Sequence, residues 1–172
     1  MSKNYIFTVW TDASSKETEN GGETAIGFVI KDGNLPPLCF SEVYQGINNS
    51  KGELKAGIES LRTLAEYCGL FEGVYAENCT VYLKTDFNEL KNAIKKDKIS
   101  SKDLEKIKFF DELKEIQKLF KEVKCEEITR WTNIAHNVCY FGNNNIGNGA
   151  IEGFFDIYEN PQMCVRKKSD QD

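Results

Sequence analysis

A chain of 172 residues with 40% hydrophobic and 12% aromatic content can bury one substantial core, which points to a single domain. Its net charge of -5 argues against indiscriminate binding to nucleic acid, because phosphate affinity comes from clustered Lys and Arg. No apolar run reaches the roughly 18 residues of a membrane span, and the N-terminus MSKNYIFTVW lacks the apolar core and cleavage site of a secretory signal, so an intracellular, cytoplasmic protein is expected.

Residues 5–11 send Ile6, Thr8 and Trp10 to one side and Phe7, Val9 and Thr11 to the other, predicting a strand that stops at Asp12. The apolar stretches TAIGFVIKDG from Thr24 and LCFSEVYQG from Leu38 follow. The Gly, Asn and Pro residues between them predict hairpin turns and an antiparallel meander. The period then changes. Leu54, Ile58, Leu61, Ala65 and Cys68 recur at three and four residues, one face of an amphipathic helix that begins near NSKGELKAG. CTVYLKTD reads as a fourth strand, ending in Asp86. A short helix is predicted over residues 88–94, then a longer one carrying Leu104, Ile107, Phe110, Leu113, Ile116, Phe120 and Val123. EEITRWTNI reads as a fifth strand, IEGFFDIYE as a short closing helix beyond an Asn-rich loop, and NPQMCVRKKSDQD as a loose polar tail. This is an α/β order with no internal repeat or linker.

Cys39, Cys68, Cys79, Cys125, Cys139 and Cys164 include no CxxC pair and share the chain with one histidine, so they read as reduced, mostly buried thiols. The carboxylates are more informative. Asp12 has an ordinary explanation as a turn residue, Ser50 with Glu53 as a capping box, and Asp86 with Glu89 as a similar helix start. Those explanations leave open why acids gather at the ends of neighbouring elements, since crowding anions without cations is costly. Divalent metal ions would remove the cost.

FTVWTDAS, NNSKGELKAGIESL and VYLKTDFNEL, in that order, resemble the type I ribonuclease H family, and the resemblance covers residues 5–158. It implies a ribonuclease H-like fold: a five-stranded mixed sheet, strands 1–3 an antiparallel meander, flanked by helices. Residues 1–160 would form the catalytic domain and 161–172 a tail. Asp12 stands at the family's metal-bridging Asp, with Ala13 where a Gly is common. Glu53 and Asp86 stand at the second and third carboxylates, and Asn49, Ser50 and Lys51 at substrate-contacting places. Two registers are open for the last carboxylate. In one, IAHNVC resembles the family's A-D-x-L-A, which puts His136 at the fourth metal-ligand place. In the other, His136 is the family's mobile-loop histidine and IGNGAIEGFF resembles I-G-N-x-x-A-D-x-L-A, which puts Asn148 at the Asn and Glu152 at the final carboxylate. The second is preferred because it keeps a histidine and an acid in their usual order.

The resemblance implies hydrolysis of the RNA strand of RNA/DNA hybrids with two Mg²⁺ ions, for which Mn²⁺ can substitute, held by Asp12, Glu53, Asp86 and Glu152. His136 would move a proton or help product leave. Asn49 and Ser50, and less directly Asn20, are candidates to read the 2′-OH that distinguishes RNA from DNA. Lys95, Lys96 and Lys98 belong to a locally basic stretch, residues 91–108, suited to phosphates. No obligate protein partner is evident. The alternatives are a nucleic-acid-binding module on the same fold with weak or lost catalysis, and a DNA-acting or integrase-like nuclease.

Overall fold

The computed structural model describes residues 3–18, 21–33, 37–144 and 162–167. The expected meander is present: β1 (Tyr5–Thr18) pairs antiparallel with β2 (Gly21–Lys31), which pairs antiparallel with β3 (Leu38–Gln45). β1 does not stop at Asp12. It continues to Thr18 because β2 pairs with it residue for residue, with Asp12 opposite Gly27. Parallel neighbours need a crossover. α1 (Asn49–Cys68) precedes β4 (Cys79–Thr85), which lies parallel to β1. α2 (Asn88–Lys95) and α3 (Leu104–Gln117) then precede β5 (Glu122–Glu127), which lies parallel to β4.

Three segments depart from the sequence reading. The fifth strand is residues 122–127 rather than 126–134, and α3 ends at Gln117, ahead of Phe120 and Val123. Half-buried Val123 and Cys125 alternate with exposed Glu122, Lys124 and Glu126, a period of two that also happens to continue the helical spacing from Ile116 and Phe120. Beyond β5 the chain forms a 3-10 turn, Arg130–Thr132, and then α4 (Ala135–Asn144). Finally, β6 (Gln162–Lys167), within the expected tail, adds a sixth strand parallel to β3, giving the sheet order β5-β4-β1-β2-β3-β6. The closing helix expected over IEGFFDIYE, together with Asn20, Asn148 and Glu152, lies outside the described residues.

The alternation of β1 separates two packed faces. Phe7 and Val9 join Ile26, Phe28 and Ile30 against Leu54, Ile58, Leu61 and Leu64 of α1 and Phe110 and Leu113 of α3. Trp10, on the other face, packs with Val29 and Cys39 against Ile134 and Val138 of the α4 segment. Close approach on this second side depends on Gly27. A Cβ there would stand 2.7 Å from Cys139 Sγ, 2.8 Å from Cys139 N and 2.9 Å from Ala135 O, so α4 rests on bare backbone. Gly52 does the same for α1, where a Cβ would stand 2.5 Å from Thr24 Cγ2. Cys39, Cys68, Cys79, Cys125 and Cys139 are free thiols, all but Cys125 buried. No helix of the described residues is long and apolar enough to cross a membrane.

Candidate active site

β1 and β4 stay paired as far as Trp10 and Lys84 and then part. Asp12 and Asp86 lie just past that point, at the crevice that opens beyond the carboxyl ends of parallel strands. Glu53 enters from the start of α1, brought in by the contact at Gly52. Asp12, Glu53 and Asp86 each offer an oxygen within 4.8 Å of the others. Asp12 and Glu53 are each only 4% exposed.

Glu53 and Asp86 do not take the capping roles open to them. Asn48 caps α1, its side chain accepting the Lys51 amide at 2.9 Å. Ser50 lies inside the helix and donates to Glu89 Oε2 at 3.2 Å, so Ser50 and Glu53 form no capping box. The residue that caps α2, Phe87, makes no side-chain cap bond, and Asp86 instead accepts from Asn133 Nδ2 at 2.9 Å. The same Asn133 Nδ2 donates to Thr11 O at 2.8 Å, which fixes Asp86 against β1.

Burial pushes the Glu53 carboxyl well above the usual range, and Asp12 and Asp86 add to the shift. Asp12 is raised as well, first by burial, against the opposing hydrogen bond from His136. Two unit charges about 5 Å apart repel by roughly 3 kcal/mol at an effective dielectric near 20. Among the described residues no Lys or Arg forms an ion pair with any of the three; the one ion-pair contact is His136 Nδ1 to Asp12 Oδ2, at 2.9 Å. Glu53 Oε2 is buried without a hydrogen-bond partner. A close set of oxygen donors with one lone pair left unanswered fits a divalent cation.

His136 sits in the first turn of α4, not on a loop. This corrects the loop placement and puts the IAHNVC segment beside Asp12. The surrounding cavity, about 340 Å³, is also lined by Ser14, Ser15, Asn49 and Arg130. Lys51 turns away to Asp103 at 3.3 Å and Glu105 at 3.5 Å. Lys95, Lys96 and Lys98 are exposed at the end of α2, and none has an ion-pair partner among the described residues. In the same basic stretch, Lys91 is held by Glu127 and Lys106 by Glu89, each at 3.1 Å. Arg130 and Asn133 escape the sequence reading, which has them inside a strand. The available signal was Asn133 just ahead of the apolar positions Ile134 and Val138, a helix-start pattern. Its Oδ1 does accept the Ala135 amide, at 3.2 Å.

No protein-family model matches the chain, and no curated protein sequence does. Solved structures do. The chain is similar to the RNase H1 of the halophilic archaeon Halobacterium salinarum, with a TM-score of 0.67 and 16% identity over 82% of this chain and 99% of that one. It is similar to an N-terminal RNase H domain from Mycobacterium tuberculosis, with a TM-score of 0.64 and 14% identity over 87% and 99% of the two chains. LC11-RNase H1, solved in complex with an RNA/DNA hybrid, gives a TM-score of 0.64 and 18% identity over 78% and 94%. The chain has the ribonuclease H-like fold.

Proposed function

We propose that the chain is a metal-dependent endonuclease that hydrolyses the RNA strand of RNA/DNA hybrids. The observation that carries this reading is the unanswered Glu53 Oε2, buried beside Asp12 and Asp86, with no Lys or Arg ion pair to any of the three among the described residues. The likeness to an RNase H1 bound to an RNA/DNA hybrid supports the choice of substrate.

Asp12, Glu53 and Asp86 would hold the metal, with His136 at the fourth place. Bound there, a pair of divalent ions supplies an activated water and stabilises the leaving 3′ oxygen. The protein's own groups set up the rest. Asn133 fixes the direction of Asp86, and the contact of α4 with Gly27 brings His136 to Asp12. Arg130, on the cavity rim, is placed to take a phosphate through its paired N–H groups. Asn49, on the same rim, offers an amide to a 2′-OH. An imidazole in place of an oxygen ligand suits Mg²⁺ poorly, so Mn²⁺ should support faster cleavage.

The same histidine favours one second reading, a hybrid-binding module whose catalysis is weak. Labelled RNA/DNA hybrid, RNA duplex and DNA duplex, each with Mg²⁺, Mn²⁺ or EDTA, separate the two. The expected result is cleavage of the hybrid alone, faster in Mn²⁺, absent in EDTA, and shifted toward Mg²⁺ in His136→Asp. Binding of the hybrid without cleavage in either metal would select the module, and cleavage of the DNA duplex would overturn both.

A further inference from the structure

Trp131 is 94% exposed. Single apolar residues on a surface are ordinary, but an indole is a large apolar area to leave in water, and this one has a particular position. It is the middle residue of the turn Arg130–Thr132, between Arg130 on the cavity rim and Asn133, which bonds to Asp86. That turn is held tightly. Thr132 N donates to Thr129 O at 3.0 Å, Asn133 N to Arg130 O at 3.2 Å, and the Thr129 and Thr132 hydroxyls bond to each other at 3.0 Å. On the N-terminal side, Ile128 N donates to Thr85 O at 2.8 Å, tying the segment to the end of β4. The indole is therefore carried on a fixed stretch of backbone, one residue from the Arg130 that lines the cavity.

Building on the reading of the site as one that binds RNA/DNA hybrid, we infer that Trp131 is a stacking platform for an unpaired base next to the hybrid, so that the site prefers a hybrid flanked by a single strand. A flat, exposed aromatic ring binds a base through its π-face, and every base has one. In a continuous duplex those faces are covered by neighbouring base pairs. They are free only where the pairing ends. Arg130 would hold the backbone at the cavity rim while Trp131, one residue further on, takes the base beyond it.

The test is the affinity ratio for two substrates: a fully paired RNA/DNA hybrid and the same hybrid carrying a short single-stranded RNA overhang. Binding is measured by anisotropy in Ca²⁺ and by tryptophan fluorescence, for the parent, Trp131→Ala and Trp131→Phe. Trp10, the other tryptophan, is half-buried and serves as the reference in Trp131→Ala. The overhang should tighten binding to the parent by about 10-fold, as one base stacked on an aromatic ring does, and quench its fluorescence. Trp131→Ala should bring the ratio to about 1 and lose the quench, and Trp131→Phe should keep most of the preference. A ratio unaltered in Trp131→Ala, or a loss equal for both substrates, would overturn the inference while leaving the hybrid reading intact. If the parent binds neither substrate, the hybrid reading fails and takes the inference with it.

Discussion

Two glutamates on α1 are buried to the same degree and live in opposite surroundings. Glu59, 5% exposed, lies 3.1 Å from Lys55 and is hydrogen-bonded by Arg62, which also reaches Glu112 at 3.7 Å. Glu53, 4% exposed, faces Asp12 and Asp86 and has no Lys or Arg partner among the described residues. The difference shows that burial alone says little about an acid. Where cations answer the charge, the acid is held within α1, and the same cations reach Glu112 of α3. Where nothing answers it, the fold carries a repulsion that only a bound cation or a proton can relieve.

The largest expected effect is a split between the two groups. Asp86→Asn should slow hybrid cleavage by about a thousandfold, near 4 kcal/mol of transition-state stabilisation, and leave the melting temperature of the metal-free protein equal or higher. Glu59→Gln should do the reverse, costing about 2 kcal/mol of stability, less than a fully buried pair costs because Arg62 is partly exposed and both cations keep Glu112. Thermal melts and single-turnover rates on both variants check this. A destabilised Asp86→Asn or an inactive Glu59→Gln would break the comparison.

Next in size is a change that leaves every charge in place. Gly27→Ala sets a methyl group against the backbone of α4, which cannot yield as a side-chain tip would. Overpacking of this kind costs about 1–3 kcal/mol. It should also draw His136 away from Asp12, slowing cleavage by about 10-fold or more. If cleavage is unaltered at equal stability, His136 contributes nothing to the site.

These two sides of the site were not equally legible. Asp12, Glu53 and Asp86 stand beside elements whose periods are intact: the alternation of residues 5–11 and 79–85 and the apolar face of α1. The β5–α4 segment hides its structure. Ile128, Thr129, Trp131 and Thr132 are residue types common in strands, yet the pairing that decides the matter is with β4, from Thr80 opposite Glu122 to Thr85 opposite Glu127. Nothing local fixes that register. Once β5 ends at Glu127, what remains before α4 is room for one turn, and Asn133 becomes a helix start rather than a strand residue. His136 follows from that. Its choice between loop and helix is a tertiary matter, settled by α4 seating on Gly27.

A smaller effect, in pH, tests the repulsion directly. Asp12 and Glu53 are both raised above the ordinary carboxylate range. Between the unfolded pKa, near 4, and those raised values, the folded metal-free protein binds more protons than the unfolded chain. Its stability from these groups is therefore fullest below the unfolded pKa and falls as pH rises through the window. In EDTA the melting temperature should drop between pH 5 and pH 8, by about 2–4 °C for each kcal/mol involved. Saturating Mn²⁺ should reduce the slope, as should Asp86→Asn, whereas Glu59→Gln should keep it. A melting temperature that rises with pH in EDTA would show that other titrating groups outweigh Asp12 and Glu53.

The smallest expected effect concerns cations instead of acids, and it extends the same contrast to the surface. Lys91 and Lys106 already have carboxylate partners, Glu127 and Glu89, and are held as Lys55 is. Lys95, Lys96 and Lys98 are exposed and lack such partners among the described residues, so their charge remains available to phosphates. Replacing these three with Ala should raise KM a few-fold at low salt, with a smaller fall in kcat. It should also flatten the salt dependence, since each lost phosphate contact removes roughly 0.9 from the slope of log K against log salt. Lys106→Ala should leave that slope as it is, because its ammonium is spent on Glu89. Equal slopes for the triple variant and the parent would return Lys95, Lys96 and Lys98 to the ordinary solvated surface, and would confine hybrid binding to the cavity and its rim.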